Sequence, residues 1–97
     1  MIVISLALRV PQSEVKEFMA ATSRLINASR VEPGVIAYSF ATDWTEDGVV
    51  RVLEIFKDQA ALDSHMASAH FQAWRPLSAK YPREERRIMD AVLKAPR

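Results

Sequence analysis

An α+β fold, with one four-stranded antiparallel sheet carrying two helical regions on a single face, is predicted for this chain by three features. Two stretches, 2–10 and 35–43, alternate with period two, and between them lies a stretch with the 3.6-residue period of a helix. An Asp47-Gly48 turn then joins the second strand to a third that is rich in Val, Ile, Leu and Phe, as a hairpin requires. A second helical region and a last apolar strand complete the order β-α-β-β-α-β, the ferredoxin-like arrangement.

In β-type stretch 2–10, Ile2, Ile4, Leu6 and Leu8 share one face and Val3, Ser5, Ala7 and Arg9 the other. Pro11 ends it, because proline cannot donate to a ladder. From Ser13 to Arg30, Val15, Phe18, Met19, Thr22, Leu25 and Ile26 form one helical stripe that runs out at Ser29. Glu14 and Glu17 early, and Arg24 and Arg30 late, suit the helix dipole. Glu32-Pro33-Gly34 is punctuation: Pro33 turns Glu32 away from helix, and Gly34 offers a positive φ. In the second strand Ile36, Tyr38 and Phe40 share a face, opposite Val35, Ala37, Ser39 and Ala41. Trp44 sits at the hairpin tip, to pack on the hairpin or hang over a neighbouring subunit.

Asp58 is placed to cap the next helix and Ser68 a further turn. Pro76 predicts a break or kink near Arg75. The last strand is read at Glu85 to Lys94, with Pro96 and Arg97 as a tail. Its second sheet face would stay wet in a monomer, which predicts a homodimer.

Ninety-seven residues make one domain, 1–97. The apolar fraction of 49% and the charged fraction of 26% are those of a soluble globular chain. Thirteen basic against twelve acidic residues give no reason to expect a nucleic-acid or membrane partner. The Arg83, Arg86, Arg87 cluster is interrupted by Glu84 and Glu85 and reads as a solvated, compensated patch. No cysteine is present, which removes thiolate nucleophiles, thiolate metal sites and disulfides. Met1 leads straight into a strand, so no leader is expected and the cytoplasm is the expected compartment.

The residues able to carry chemistry gather in 54–74. His65 and His70 are the two histidines, and either suits a general base or a donor to a ligand oxygen. Buried packing, with each ring bonded to a backbone carbonyl or a cap, explains them equally well. Their separation of five does not suit two ligands on one continuous helix, which argues against a metal. Met66, Phe71 and Trp74 are core residues or the walls of an aromatic pocket. The Tyr38 hydroxyl needs a partner if buried, and a ligand oxygen, a water or His65 would serve. Arg51 and Glu54 point to opposite faces of one strand; a structural ion pair is expected for Glu54, with an arginine across the dimer a candidate partner. Phosphate loops, nucleophile elbows and dinucleotide fingerprints are absent from the sequence.

Glu32-Pro33-Gly34 with Tyr38, then Glu54 to Asp58, Ala61-Leu62 with His65, and Ser68 with His70-Phe71-Gln72-Ala73-Trp74 together resemble the antibiotic biosynthesis monooxygenase (ABM) domain over roughly residues 2–94. The resemblance implies a dimeric α+β barrel with a cavity in each subunit. It also implies oxidation of a small quinol-like or polyphenolic aromatic substrate by O₂, with no cofactor, metal or flavin. In that frame His65 or His70 is catalytic, while Tyr38, Arg51, Met66, Phe71 and Trp74 bind the substrate. Haem-degrading relatives carry an asparagine on the first strand, where this chain has Ser5. The remaining alternatives are a non-catalytic small-molecule-binding dimer and an isomerase of a phosphorylated signalling molecule.

Overall fold

The computed structural model describes residues 1–94; the Pro96–Arg97 tail lies outside the described residues. Its elements are β1 (Ile2–Arg9), a 3₁₀ turn (Gln12–Glu14), α1 (Val15–Arg30), β2 (Val35–Thr42), β3 (Val49–Phe56), α2 (Gln59–Ala67), α3 (Ala69–Ser78) and β4 (Arg83–Asp90). All three strand pairs are antiparallel, in the order β2-β3-β1-β4. This is the ferredoxin-like α+β architecture read from the sequence.

The helices cover one sheet face. Along α1 the buried residues are Val15, Phe18, Thr22, Leu25, Ile26 and Ser29, a stripe three or four apart. Burying Phe18 or Leu25 contributes about 2 kcal/mol each. Phe18 meets the edge of Tyr81 at 5.2 Å and tilts against Trp74 at 6.4 Å. The polar member of the stripe, Thr22, accepts a hydrogen bond from Trp74 Nε1 at 3.0 Å, so neither polar group is left unpaired in the core.

Four sequence expectations change. Pro76 does not break the second helical region; α3 runs on to Ser78. Only two residues of helix follow the proline, so it forfeits little of the ladder. The interruption falls instead at Ser68, which is extended and accepts the Phe71 N–H at 3.3 Å, while Asp58 caps α2 through the Ala61 N–H at 2.9 Å. Ile36 does not share a face with Tyr38: the β2–β3 register slips between Val35 and Ala37, so Val35 packs on the core and Ile36 is half exposed. Gly34 has no positive φ; its reason is contact, since a Cβ there would collide with Ala61 Cβ. Finally, β4 begins at Arg83 and ends at Asp90, with Glu85 at φ 53° inside it.

The opposite sheet face carries no helix, and Leu53 and Met89 remain over 40% exposed. Trp44 projects fully into solvent from the β2–β3 turn and does not pack on the hairpin. No helix among the described residues is long and apolar enough to cross a membrane.

Candidate functional site

Between the sheet and α2–α3 lies a cavity of about 100 Å³. Its apolar wall comes from Leu6 of β1, Phe40 of β2, Met66 at the end of α2, and Phe71 and Trp74 of α3. Phe40 and Trp74 meet edge to face at 5.9 Å. Four polar side chains also reach it: Tyr38, Glu54, Arg83 and Arg86. A larger open groove of about 490 Å³ lies at the Val10–Gln12 end of the sheet. Its cations are already paired, Lys80 with Glu14 and Arg9 with Glu46 and Glu84.

Tyr38 and Glu54 are cross-strand partners on the helix-covered face. Glu54 shares the parity of Val50, Val52 and Phe56, all buried. Its side chain is 13% exposed, and burial pushes its carboxyl up to about 7, with the Arg86 charge pulling the other way. Among the described residues the basic side-chain nitrogen nearest Glu54 is His65 Nε2, at 3.8 Å. Burial, and then the Glu54 charge, hold the Tyr38 phenol well above its ordinary value.

His65 is fully buried and stands behind Tyr38 rather than on the cavity wall. Its Nε2 lies 3.3 Å from the Tyr38 hydroxyl and its Nδ1 2.8 Å from Glu32 Oε2. A carboxylate only accepts, so Nδ1 donates to Glu32, and the tautomer with its proton on Nδ1 leaves Nε2 to accept from Tyr38. His70 also stands off the cavity, with Nε2 2.7 Å from the same Glu32 oxygen. The helix break at Ser68 makes this convergence possible. With α2 and α3 as separate helices, the spacing argument against two histidines meeting does not apply.

Glu32, His65 and His70 present one ligand atom each within 4.8 Å of one another, a donor set that suits a divalent transition metal by type. The short contacts of Glu32 Oε2 to both rings are hydrogen-bond lengths, and two imidazole N–H groups fill that space.

Of the residues singled out from the sequence, Tyr38, Met66, Phe71 and Trp74 are together on the cavity. Arg51 is not: three residues from Glu54 on the same strand, it points to the open face and pairs with Asp43 and Glu85. Three residues that the sequence reading gave no site role now stand in or beside the site. Glu32 was read as punctuation, and Arg83 and Arg86 as a compensated surface patch. The compensated reading fails for the two arginines, because the β-bulge at Glu85 sends Glu84 and Glu85 to the open face and Arg83 and Arg86 to the cavity. Glu54 could have been found: a carboxyl at core parity in an apolar strand is a signal in itself.

Residues 1–77 match the family model for antibiotic biosynthesis monooxygenase. The chain is 39% identical over 70 residues to the uncharacterized protein sll1783 of Synechocystis sp., covering 72% of this chain and 48% of that protein. It thus spans about half the length of that relative. It is 32% identical over 74 residues to YcnE of Bacillus subtilis, named as a proposed monooxygenase, with 76% of this chain and 78% of that one covered. Among solved structures, one from Caulobacter crescentus CB15, described as a proposed antibiotic biosynthesis monooxygenase, superposes with a TM-score of 0.86 at 26% identity, covering 95% of this chain and 90% of that one. The match over most of the chain, with the sheet order and helix placement described above, makes this protein a member of the antibiotic biosynthesis monooxygenase family.

Proposed function

We propose that this chain oxidises a small quinol-like or polyphenolic aromatic compound with O₂, without a bound cofactor. The observation that carries this reading is a buried carboxyl, Glu54, that titrates at about 7 inside an aromatic-walled cavity. Such a group takes a phenolic proton at neutral pH and returns it later in the cycle. The phenolate left behind is electron-rich enough to reduce O₂ itself. For a hydroquinone the equation closes as hydroquinone plus O₂ giving hydroxybenzoquinone plus water, the ring supplying all four electrons. The apolar walls of Leu6, Phe40 and Phe71 keep water from the reacting centre.

Tyr38 lines the same cavity, and its hydroxyl is held by His65, itself held by Glu32. That chain commits the phenol proton to His65 and leaves the phenol oxygen as an acceptor for the hydroxyl of a bound ring. His65 therefore acts through Tyr38, and His70 through Glu32. We further propose that the open sheet face pairs with a second copy of the chain, supported by the exposure of Leu53 and Met89.

Oxygen uptake by metal-stripped protein over a panel of hydroquinones and anthrones tests the reading. Glu54→Gln is expected to lower kcat by about 100-fold, the scale of a lost general base. Absence of uptake across the panel with folded protein would overturn it. A second reading, an isomerase of a phosphorylated signalling molecule, is favoured by one observation, the two arginines on the cavity. It predicts tight binding of the phosphorylated compound and no oxygen demand.

A further inference from the structure

We infer that the cavity takes an anionic ligand, a single-ring phenol bearing a carboxylate, and that Arg86 receives the anion. The inference deepens the monooxygenase reading and rests on it for the phenol alone.

The first support is backbone geometry. Residues three apart on a regular strand point to opposite faces, so Arg83 and Arg86 should diverge. They do not. Between Ser5 and Ala7 of β1, one residue intervenes; between their β4 partners Arg87 and Glu84, two do. The extra residue is Glu85, in left-handed backbone at φ 53°, a conformation that disfavours a non-glycine residue. The bulge puts both guanidinium groups on the cavity, and such bulges concentrate next to functional sites.

The second support is charge. On the open face Arg9 is met by Glu46 and Glu84 and Arg51 by Asp43 and Glu85, while Arg87 donates to the Glu85 carbonyl. On the cavity the balance is different. Arg83 donates to the Ser78 carbonyl and hydroxyl and to the Tyr81 carbonyl, all neutral oxygens, and lies over the Trp74 ring at 5.8 Å. Arg86 makes no hydrogen bond and no ion pair among the described residues. Opposite them stands one carboxyl, Glu54, which burial keeps partly protonated at neutral pH. The cavity therefore carries uncompensated positive charge.

The division of labour follows from the donors. Arg83 has committed its terminal nitrogens to the protein and supplies a fixed charge. Arg86 keeps its planar fork available, and that fork matches a carboxylate with two parallel hydrogen bonds. A volume of about 100 Å³ among walls that include Phe40, Phe71 and Trp74 suits a single aromatic ring. The anion then lies toward β4 and the phenolic hydroxyl toward Tyr38 and Glu54.

Anaerobic calorimetry with gentisate and with hydroquinone, rings that differ by one carboxylate, tests this without turnover. Gentisate is expected to bind about tenfold tighter or better, the scale of one charge-assisted contact. Arg86→Gln, checked for fold by circular dichroism, is expected to abolish that preference while hydroquinone affinity changes by less than about twofold. Equal affinity for the two rings, binding of neither, or a preference that survives Arg86→Gln overturns the inference. The two readings fail separately. Gentisate preference with no oxygen uptake keeps the anion site and sinks the monooxygenase; uptake with hydroquinone and no gentisate preference does the reverse.

Discussion

Tyr38 and Glu54 face each other across the β2–β3 ladder, where burial raises both pKa values and the Glu54 charge makes the Tyr38 phenol harder still to ionise. The pair places two oxygen acids beside one aromatic cavity, Tyr38 with its proton held by His65 and Glu54 protonated below neutral pH. A consequence for stability follows. An unfolded glutamate loses its proton near 4.5, whereas the folded Glu54 holds it to about 7. Between those values the native state binds more protons than the unfolded one, so stability falls as pH rises and levels off above about 7. The contribution is fully present below 4.5 and amounts to about 3 kcal/mol across the window. Glu54→Gln removes the titration. Its urea midpoint should exceed that of the unsubstituted protein at about pH 8 by the equivalent of about 2 kcal/mol, and match it near pH 4.

His65 holds the network from behind. Truncating it to alanine leaves a buried void, and leaves the Tyr38 hydroxyl and a Glu32 oxygen each short of one partner. A loss of about 3 kcal/mol is expected by urea unfolding. Nitrogen-15 shifts of the His65 ring should report a proton on Nδ1 and a bare Nε2. Glu32→Gln should spread the ring between tautomers, because an amide can donate as well as accept. Finding the opposite tautomer in the unsubstituted protein would break the proposed Tyr38-to-His65 direction.

Gly34 is the third test. A Cβ there meets Ala61 on α2, and the Gly34 carbonyl accepts the Lys57 N–H at 2.9 Å. Gly34→Ala must push α2 off the turn that carries Glu32. A cost of about 1–3 kcal/mol is expected, the range for overpacking. The His65 Nδ1 proton should also exchange faster with water, because the carboxylate that protects it moves away. A substitution that costs nothing would show that α2 has room to yield.

The bulge can be tested at Glu85. Asparagine tolerates left-handed backbone and should leave both fold and gentisate preference intact. Valine at the same position is β-branched, and is expected to cost about 1–3 kcal/mol and to weaken the preference by moving Arg86. Both variants lose the carboxylate that pairs with Arg51, an exposed contact worth little, so their difference reports mainly on the backbone.

The fold was legible because periodicity survives in the sequence. Ile4, Leu8, Val50 and Val52 alternate as sheet residues do, Phe18, Thr22 and Leu25 keep helical spacing, and the core they form is the one expected. What sequence spacing could not show was every place where the backbone departs from its own period. Ile36 left the face of Tyr38, and Arg86 joined Arg83 on the cavity, because one extra residue entered each ladder. Pro76 read as a breaker and does not break α3, whereas Ser68, read as a cap, is where the helical region divides. In the candidate site, Tyr38, Phe71 and Trp74 were visible as aromatics at core positions. Glu32 was not, because only the folded chain brings it to residues more than thirty positions away.

One oxygen atom of Glu32 binds His65 of α2 and His70 of α3, and so works as a rivet through three segments of chain. Met66 lies one residue from the first imidazole and Phe71 one residue from the second, and both line the cavity. The wall they form is therefore clamped at a single point behind it. Ligand passage that displaces Phe71 alone strains the His70 bond, and displacement of Met66 alone strains the His65 bond. Movement of the wall as one panel, hinged at Glu32, leaves both bonds whole and carries Tyr38's partner with it. Admission of a ligand and release of the Tyr38 proton donor are then one mechanical event.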